Sequence, residues 1–192
     1  MKKLCIILTV LTALCAGWLN AQEARIAAGA EAIAVPAVPC PRPVSTTLKG
    51  ATPPTSEAAD LGAANTAAVA GSQWNQTAIN KHFAYTFRFP APPRECCLMT
   101  SGTLTVRIKA LQGGSPGSPT SVNDAVHIMS NGTAVAGLSQ QPWLGGVATG
   151  TIATLNFNIP AAVLKTGRVT FYVQDDAAVL DATLTVRGCC LQ

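Results

Sequence analysis

The chain has 192 residues, a formal net charge of +4, and only 11% charged residues against 48% apolar ones. Its basic residues stand singly rather than in clusters, which excludes the electrostatic footprint of a nucleic-acid-binding domain. No stretch after the first twenty residues approaches the ~20 consecutive apolar positions of a membrane helix, so no membrane span is expected.

The N-terminus reads as an export signal. Met1, Lys2 and Lys3 form a short positive region, Leu4 to Ala16 an apolar run, and Ala21 a small residue where a signal peptidase would cut. A lipoprotein with Cys15 as the lipidated residue is the weaker alternative, because Leu14 precedes it instead of a small residue. Residues 1–21 are thus expected to be a signal peptide, and the protein to be secreted, periplasmic or extracellular. Without Lys2 and Lys3 the charge balance falls to about +2.

Residues 22–72 are dominated by Ala, Pro, Gly, Ser and Thr, as in "AVPAVPCPRPVSTTLKGATPPTSEAADLGAANTAAVAG". Such a stretch carries few large apolar residues to offset the entropy of ordering, and it predicts a flexible, partly extended spacer. Residues 73–192 are then the folded domain, long enough for one core.

From Trp74 onward the pattern is period two. "KHFAYTFRF" puts Phe83, Tyr85, Phe87 and Phe89 on one face, and "GTLTVRIKAL" alternates Leu104, Val106, Ile108 and Ala110 with polar residues. "DAVHIMS" and "TAVAGL" flank Asn131-Gly132, a pair favoured in two-residue hairpin turns. "ATLNFNI", "RVTFYVQD" and "ATLTVRG" complete seven short strands with turn signals between them. The fold class expected is all-β: an antiparallel β-sandwich or jelly roll on an N-terminal Ala/Pro-rich spacer.

Five cysteines remain after the signal: Cys40, Cys96, Cys97, Cys189 and Cys190. In an exported chain they read as disulfide partners. Cys96 and Cys97 precede one strand and Cys189 and Cys190 end the last, so an antiparallel pairing of those strands would face one pair with the other. Two such bridges would each close a loop of about 90 residues. A four-cysteine zinc site is the alternative, but it wants C-x-x-C spacing rather than adjacent cysteines. Cys40 is left as the odd thiol.

Asn123 and Asp124 open one strand, while Asp175, Asp176 and Asp181 lie in or beside the turn before the last. Clustered Asp and Asn oxygens on loops at one end of a sandwich are what Ca2+ requires. The competing reading is that these residues form turns by bonding local backbone N–H groups. Trp143, in "QQPWLGG", is the candidate ligand-binding ring, placed on a loop where it could stack on a sugar.

The succession "HFAYTF", "LTVRIKAL", "VNDAVHI", "LNFNIP" and "VTFYVQDDAAVLDATLTV" resembles a poorly characterised β-sandwich module of exported bacterial proteins. The likeness covers roughly Trp74 to Val186, and its most specific pieces are Asn123-Asp124 and Gln174-Asp175-Asp176. It implies an extracytoplasmic sandwich and supplies no enzymatic activity; the doubled cysteines lie outside the pattern.

No G-x-S-x-G, H-E-x-x-H or phosphate-loop motif occurs. A carboxylate pair for glycoside hydrolysis could be drawn from Glu95, Asp124 and Asp176, as any sandwich would allow. His82 and His127 read as surface or core residues rather than bases. The expected function is therefore a non-catalytic structural, surface or adhesive module, calcium-stabilised, with an unidentified polymer, glycan or protein as partner. The alternative is a carbohydrate-binding module.

Overall fold

The computed structural model describes residues 42–89, 97–116, 124–174 and 176–190. Eight strands form two four-stranded antiparallel sheets. One sheet has the order β1 (Arg42–Lys49), β8 (Ala177–Cys190), β3 (Cys97–Ala110), β6 (Ile152–Pro160); the other has β2 (Phe83–Arg88), β7 (Arg168–Val173), β4 (Val126–Ser130), β5 (Thr133–Gln140). The sandwich expected from the alternation is present. The two longest strands, β3 and β8, lie side by side, with Leu104 opposite Leu184 and Thr103 opposite Thr185.

Inward-facing positions build one core between the sheets. Leu104, Val106 and Ile108 of β3, Phe157 and Ile159 of β6, and Leu184 and Val186 of β8 face Phe83 and Phe87 of β2, Ile128 of β4 and Phe171 of β7. The Asn131-Gly132 turn that joins β4 to β5 has φ of 50° and 79°, the left-handed backbone such a hairpin demands.

The stretch expected as spacer is structured from Arg42 onward, and Cys40–Gln192 forms one compact unit. β1 adds an edge strand to β8 with a continuous register from Arg42–Cys190 to Lys49–Thr183. Pro43 is tolerated there because one side of an edge strand donates to nothing. The remainder of that stretch supplies two short helices, α1 (Ala58–Leu61) and α2 (Ala63–Ala68), which lie against the outer face of the β2–β7–β4–β5 sheet. Leu61 and Val69 pack there on Ala84, Met129 and Tyr172 as a second small core. A third short helix, α3 (Ala161–Leu164), follows β6 and buries Leu164. The expected signal peptide, residues 1–21, and the first part of the spacer lie outside the described residues, as does Cys40.

The chain between β1 and α1 is locked by an aromatic contact. Trp74 covers Gly50 so closely that an added Cβ would sit 2.5 Å from its ring. Its Nε1–H donates to the Ala51 carbonyl at 2.7 Å, and its ring lies 4.7 Å from that of Phe83 and 5.3 Å from that of Tyr85. Gly50→Ala is expected to push the indole off this seat and cost about 1–3 kcal/mol by overpacking. A urea titration checks it; a midpoint equal to that of the parent protein would contradict the contact.

Candidate functional site

Antiparallel order divides the sandwich into two poles. β1, β3 and β5 end, and β2, β4 and β8 begin, at the pole where the predicted acidic residues lie. The N–H of Gln174 donates to the Ala125 carbonyl at 3.0 Å, continuing the β4–β7 ladder past Val126–Val173. That register brings Asp124 and Asp176 to the same end. Both are buried, at 1% and 6% exposure, which is unusual for carboxylates and marks the pole as a built polar site.

Asp176 sits in left-handed backbone (φ 50°) and turns the chain into β8. Its Oδ1 accepts the Asn80 N–H at 2.9 Å, and its carbonyl accepts the Leu111 N–H at 2.8 Å. It therefore ties together three loops, which is the turn-forming role weighed against calcium. The segment on either side of Asn80 lines a cleft of about 260 Å³ with Gln73, Asn75, Gln76, Thr77 and Lys81. Gln76 Nε2 donates to the carbonyls of Lys81 and Ala177, at 2.7 and 3.3 Å.

Asp181 does not join this pole. It lies inside β8, opposite Arg107, whose Nη1 donates to its Oδ2 at 2.7 Å on the outer face of the sheet. Both side chains are about half exposed. The sequence suggested a turn because three aspartates fall within seven residues; the strand begins earlier, at Ala177, and carries the third one away. Asn123 and Asp175 lie outside the described residues. Among the described residues, no group of three His, Cys, Asp or Glu side chains is placed to hold a metal.

Trp143 is not a binding platform. It is 5% exposed and belongs to the main core, where it closes the acidic pole while its carbonyl accepts the Gly146 N–H at 2.9 Å. A ring buried this way offers no face to a sugar.

At the opposite pole the cysteine strands meet as expected. Cys97 lies opposite Cys190, and Leu98 opposite Cys189, in the β3–β8 register. Cys189 is disulfide-bonded, and its sulfur partner is not among the described side chains. Cys96 and the side chains of Cys97 and Cys190 lie outside the description.

Two polar assemblies on the outer face of the β2–β7–β4–β5 sheet were not evident in the sequence. In the first, Asp60 of α1 is bound bidentately by Arg168 of β7: Nε donates to Oδ2 at 2.8 Å and Nη2 to Oδ1 at 3.0 Å. Thr170 donates to the same Oδ2 at 2.8 Å. Since that commits the only proton of Thr170, Thr86 must donate to Thr170 across 2.8 Å, and Thr86 in turn accepts the Glu57 N–H at 2.9 Å. Burial alone would raise the Asp60 pKa. The hydrogen bonds from Arg168 and Thr170, the Arg168 charge and the Asn131 backbone outweigh it and hold the carboxyl below its ordinary value. Glu57 also pairs with Arg88.

In the second assembly, Tyr172 lies between two histidines. Its ring stacks against His82 at 5.5 Å and His127 at 6.4 Å, and its hydroxyl bonds His82 Nδ1. His127 Nδ1 bonds Ser139 Oγ at 2.7 Å. Burial pushes the His127 pKa down, against an opposing hydrogen bond that the ring donates to Gln174. These contacts account for both histidines as packed, half-buried surface residues.

The chain matches no protein-family model, and no curated protein matches it. Among the described residues, no helix is long and apolar enough to cross a membrane.

Proposed function

We propose that this chain is an exported, non-catalytic β-sandwich module with a structural or adhesive role at a surface, pinned by disulfides at one pole and calcium-stabilised at the other. The observation that carries this reading is the placement of Arg42 opposite Cys190. The domain's two strand termini leave from one pole, so a tether there presents the acidic pole and both sheet faces to the surroundings. Tension on the two ends would peel β1 from β8 one residue pair at a time. Bridges from Cys189 and Cys190 to the cysteines at the start of β3 would leave that step open but hold β8 to β3 once β1 has parted, which suits a module that is pulled upon.

The likeness to exported bacterial sandwich modules points the same way. The calcium part rests on Asp124 and Asp176 reaching one end together. Two carboxylates fall short of the six to eight oxygens that Ca2+ takes, so Asn123, Asp175 and main-chain carbonyls would complete the set. The carbohydrate-binding alternative loses Trp143 as its support.

One sample tests these parts. The full chain is expected to turn over no chromogenic ester or glycoside, and to melt at a higher temperature with calcium than with chelator. A site filled at about 100 times its Kd adds about 2.7 kcal/mol. Equal melting with and without chelator removes the calcium; turnover abolished by Asp124→Asn overturns the non-catalytic reading.

A further inference from the structure

We propose that the outer face of the β1–β8–β3–β6 sheet is a binding surface for an acidic polysaccharide, a uronate-bearing chain lying along the strands. The inference rests on the surface-module reading and names the site and ligand class for it.

Register builds a lattice on this face. Thr47, Thr185, Thr103 and Asn158 stand in one row across the four strands, and Lys49, Thr183, Thr105 and Asn156 in the next. Neighbours within a row are about 4.8 Å apart and successive rows about 6.7 Å. Thr47 and Thr185 share a hydrogen bond of 3.1 Å, and Thr105 donates to Asn156 Oδ1 at 2.8 Å. Threonine is stiff at χ1, so these hydroxyls are held in place and little entropy is lost when a ligand bonds them.

Charge selects the ligand. The face carries Lys49, Arg107, Lys109 and Arg187, and among the described residues Asp181 is its one carboxylate, paired with Arg107. Lys49, Lys109 and Arg187 have no carboxylate within ion-pair distance among the described residues. The other sheet differs: there Arg88 and Arg168 are each tied to an acid, Glu57 and Asp60. The surplus cations are spread along the strands, from Arg187, opposite Ser101, to Lys109 eight residues on, about 26 Å away. That spacing fits charges repeated on an extended polymer, not one compact anion. No described residue on this face is aromatic, so neither sugar rings nor bases find a stacking platform, which disfavours single-stranded nucleic acid. Hydroxyl and amide groups interleaved with cations suit a chain that presents hydroxyls and carboxylates.

Binding of the full chain to polygalacturonate, dextran and double-stranded DNA tests the proposal by affinity electrophoresis. Polygalacturonate is expected to retard the protein, less so as salt is raised. The double variant Lys49→Glu, Arg187→Glu is expected to weaken retardation about tenfold or more by turning attraction into repulsion. Thr103→Val with Thr185→Val, which keeps shape and removes the hydroxyls, is expected to weaken it severalfold. All four positions are at least partly exposed, and unchanged melting temperatures verify folding. No retardation by polygalacturonate, equal retardation by dextran or DNA, or insensitivity of either variant overturns the inference. A protein that is retained on another surface polymer through a different face keeps the module reading while this site falls; substrate turnover would sink the module reading itself.

Discussion

Phe171→Ala is expected to lower the unfolding free energy by about 3–5 kcal/mol, the cost of removing a phenyl ring from a packed core and leaving a cavity. Phe171 is fully buried in β7, a central strand flanked by β2 and β4. Its ring lies 5.8 Å from that of Phe83 and 6.3 Å from those of Tyr85 and Phe87, so it is the hub of the aromatic cluster. For a chain of this length each kcal/mol shifts the melting temperature by about 2–4 °C, so the loss is expected to appear as a drop of about 10 °C. Phe171→Leu keeps most of the volume and is expected to cost under about 1.5 kcal/mol. Ile152, half exposed on β6, supplies the control: Ile152→Ala is expected to stay within about 0.5 kcal/mol. A Phe171→Ala loss no larger than that control would mean that the two sheets do not meet through this ring.

Period-two alternation made five of the eight strands legible, because a sheet with one face buried must repeat apolar residues every second position, and the Asn131-Gly132 turn signal marked β4 and β5 on either side of it. β2 is the instructive case. Phe83, Tyr85 and Phe87 alternate as a half-buried strand should, yet Ala84 and Thr86 between them are buried as well. Their cover, α1 and α2, comes from a stretch whose Ala-rich composition reads as spacer. β1 was hidden in the same stretch: Val44, Thr46 and Leu48 alternate, but prolines and alanines on either side dominate any longer window. Pairing of the cysteine-bearing strands was legible from their ends, since adjacent antiparallel strands bring the start of one to the end of the other. At the acidic pole, the sequence offered Asp124, Asp176 and Asp181 as candidates but could not place the first two near each other, since only the β4–β7 register brings them to one end; Asp181 falls inside β8, which starts already at Ala177. The burial of Trp143 was not legible, because no local pattern tells whether a loop ring faces solvent or the core. The Asp60–Arg168 pair was invisible for a different reason: 108 residues separate its members, and no local pattern announces a long-range ion pair.

That pair carries the second large expectation. Asp60→Ala is expected to cost about 3 kcal/mol, at the low end for a broken buried pair because Arg168 keeps some access to water. Truncation strands more than one partner: Arg168 loses a bidentate acceptor, and the Thr170 hydroxyl loses the group that orders its proton and hence that of Thr86. Asp60→Asn retains the size and is expected to recover part of the loss, since an amide oxygen still accepts one bond. The pH dependence follows from the lowered Asp60 pKa. A carboxyl whose folded pKa lies below its unfolded value of about 3.9 binds fewer protons when folded, so its stabilisation is full above that value and is lost as pH falls through the folded pKa. Urea midpoints of the parent and Asp60→Asn should therefore differ most at neutral pH and converge as the solution is acidified below about pH 4. Subtracting one series from the other removes the other carboxylates, which titrate in both. A gap that stays constant down to strong acid would show that charge on Asp60 contributes nothing to holding α1 on the sheet. Hydrogen exchange at Leu61 and Gly62, whose amides bond Glu57 and Ala58, supplies the local readout: faster exchange there in Asp60→Ala than in the core strands marks release of the helical strap before the sandwich unfolds.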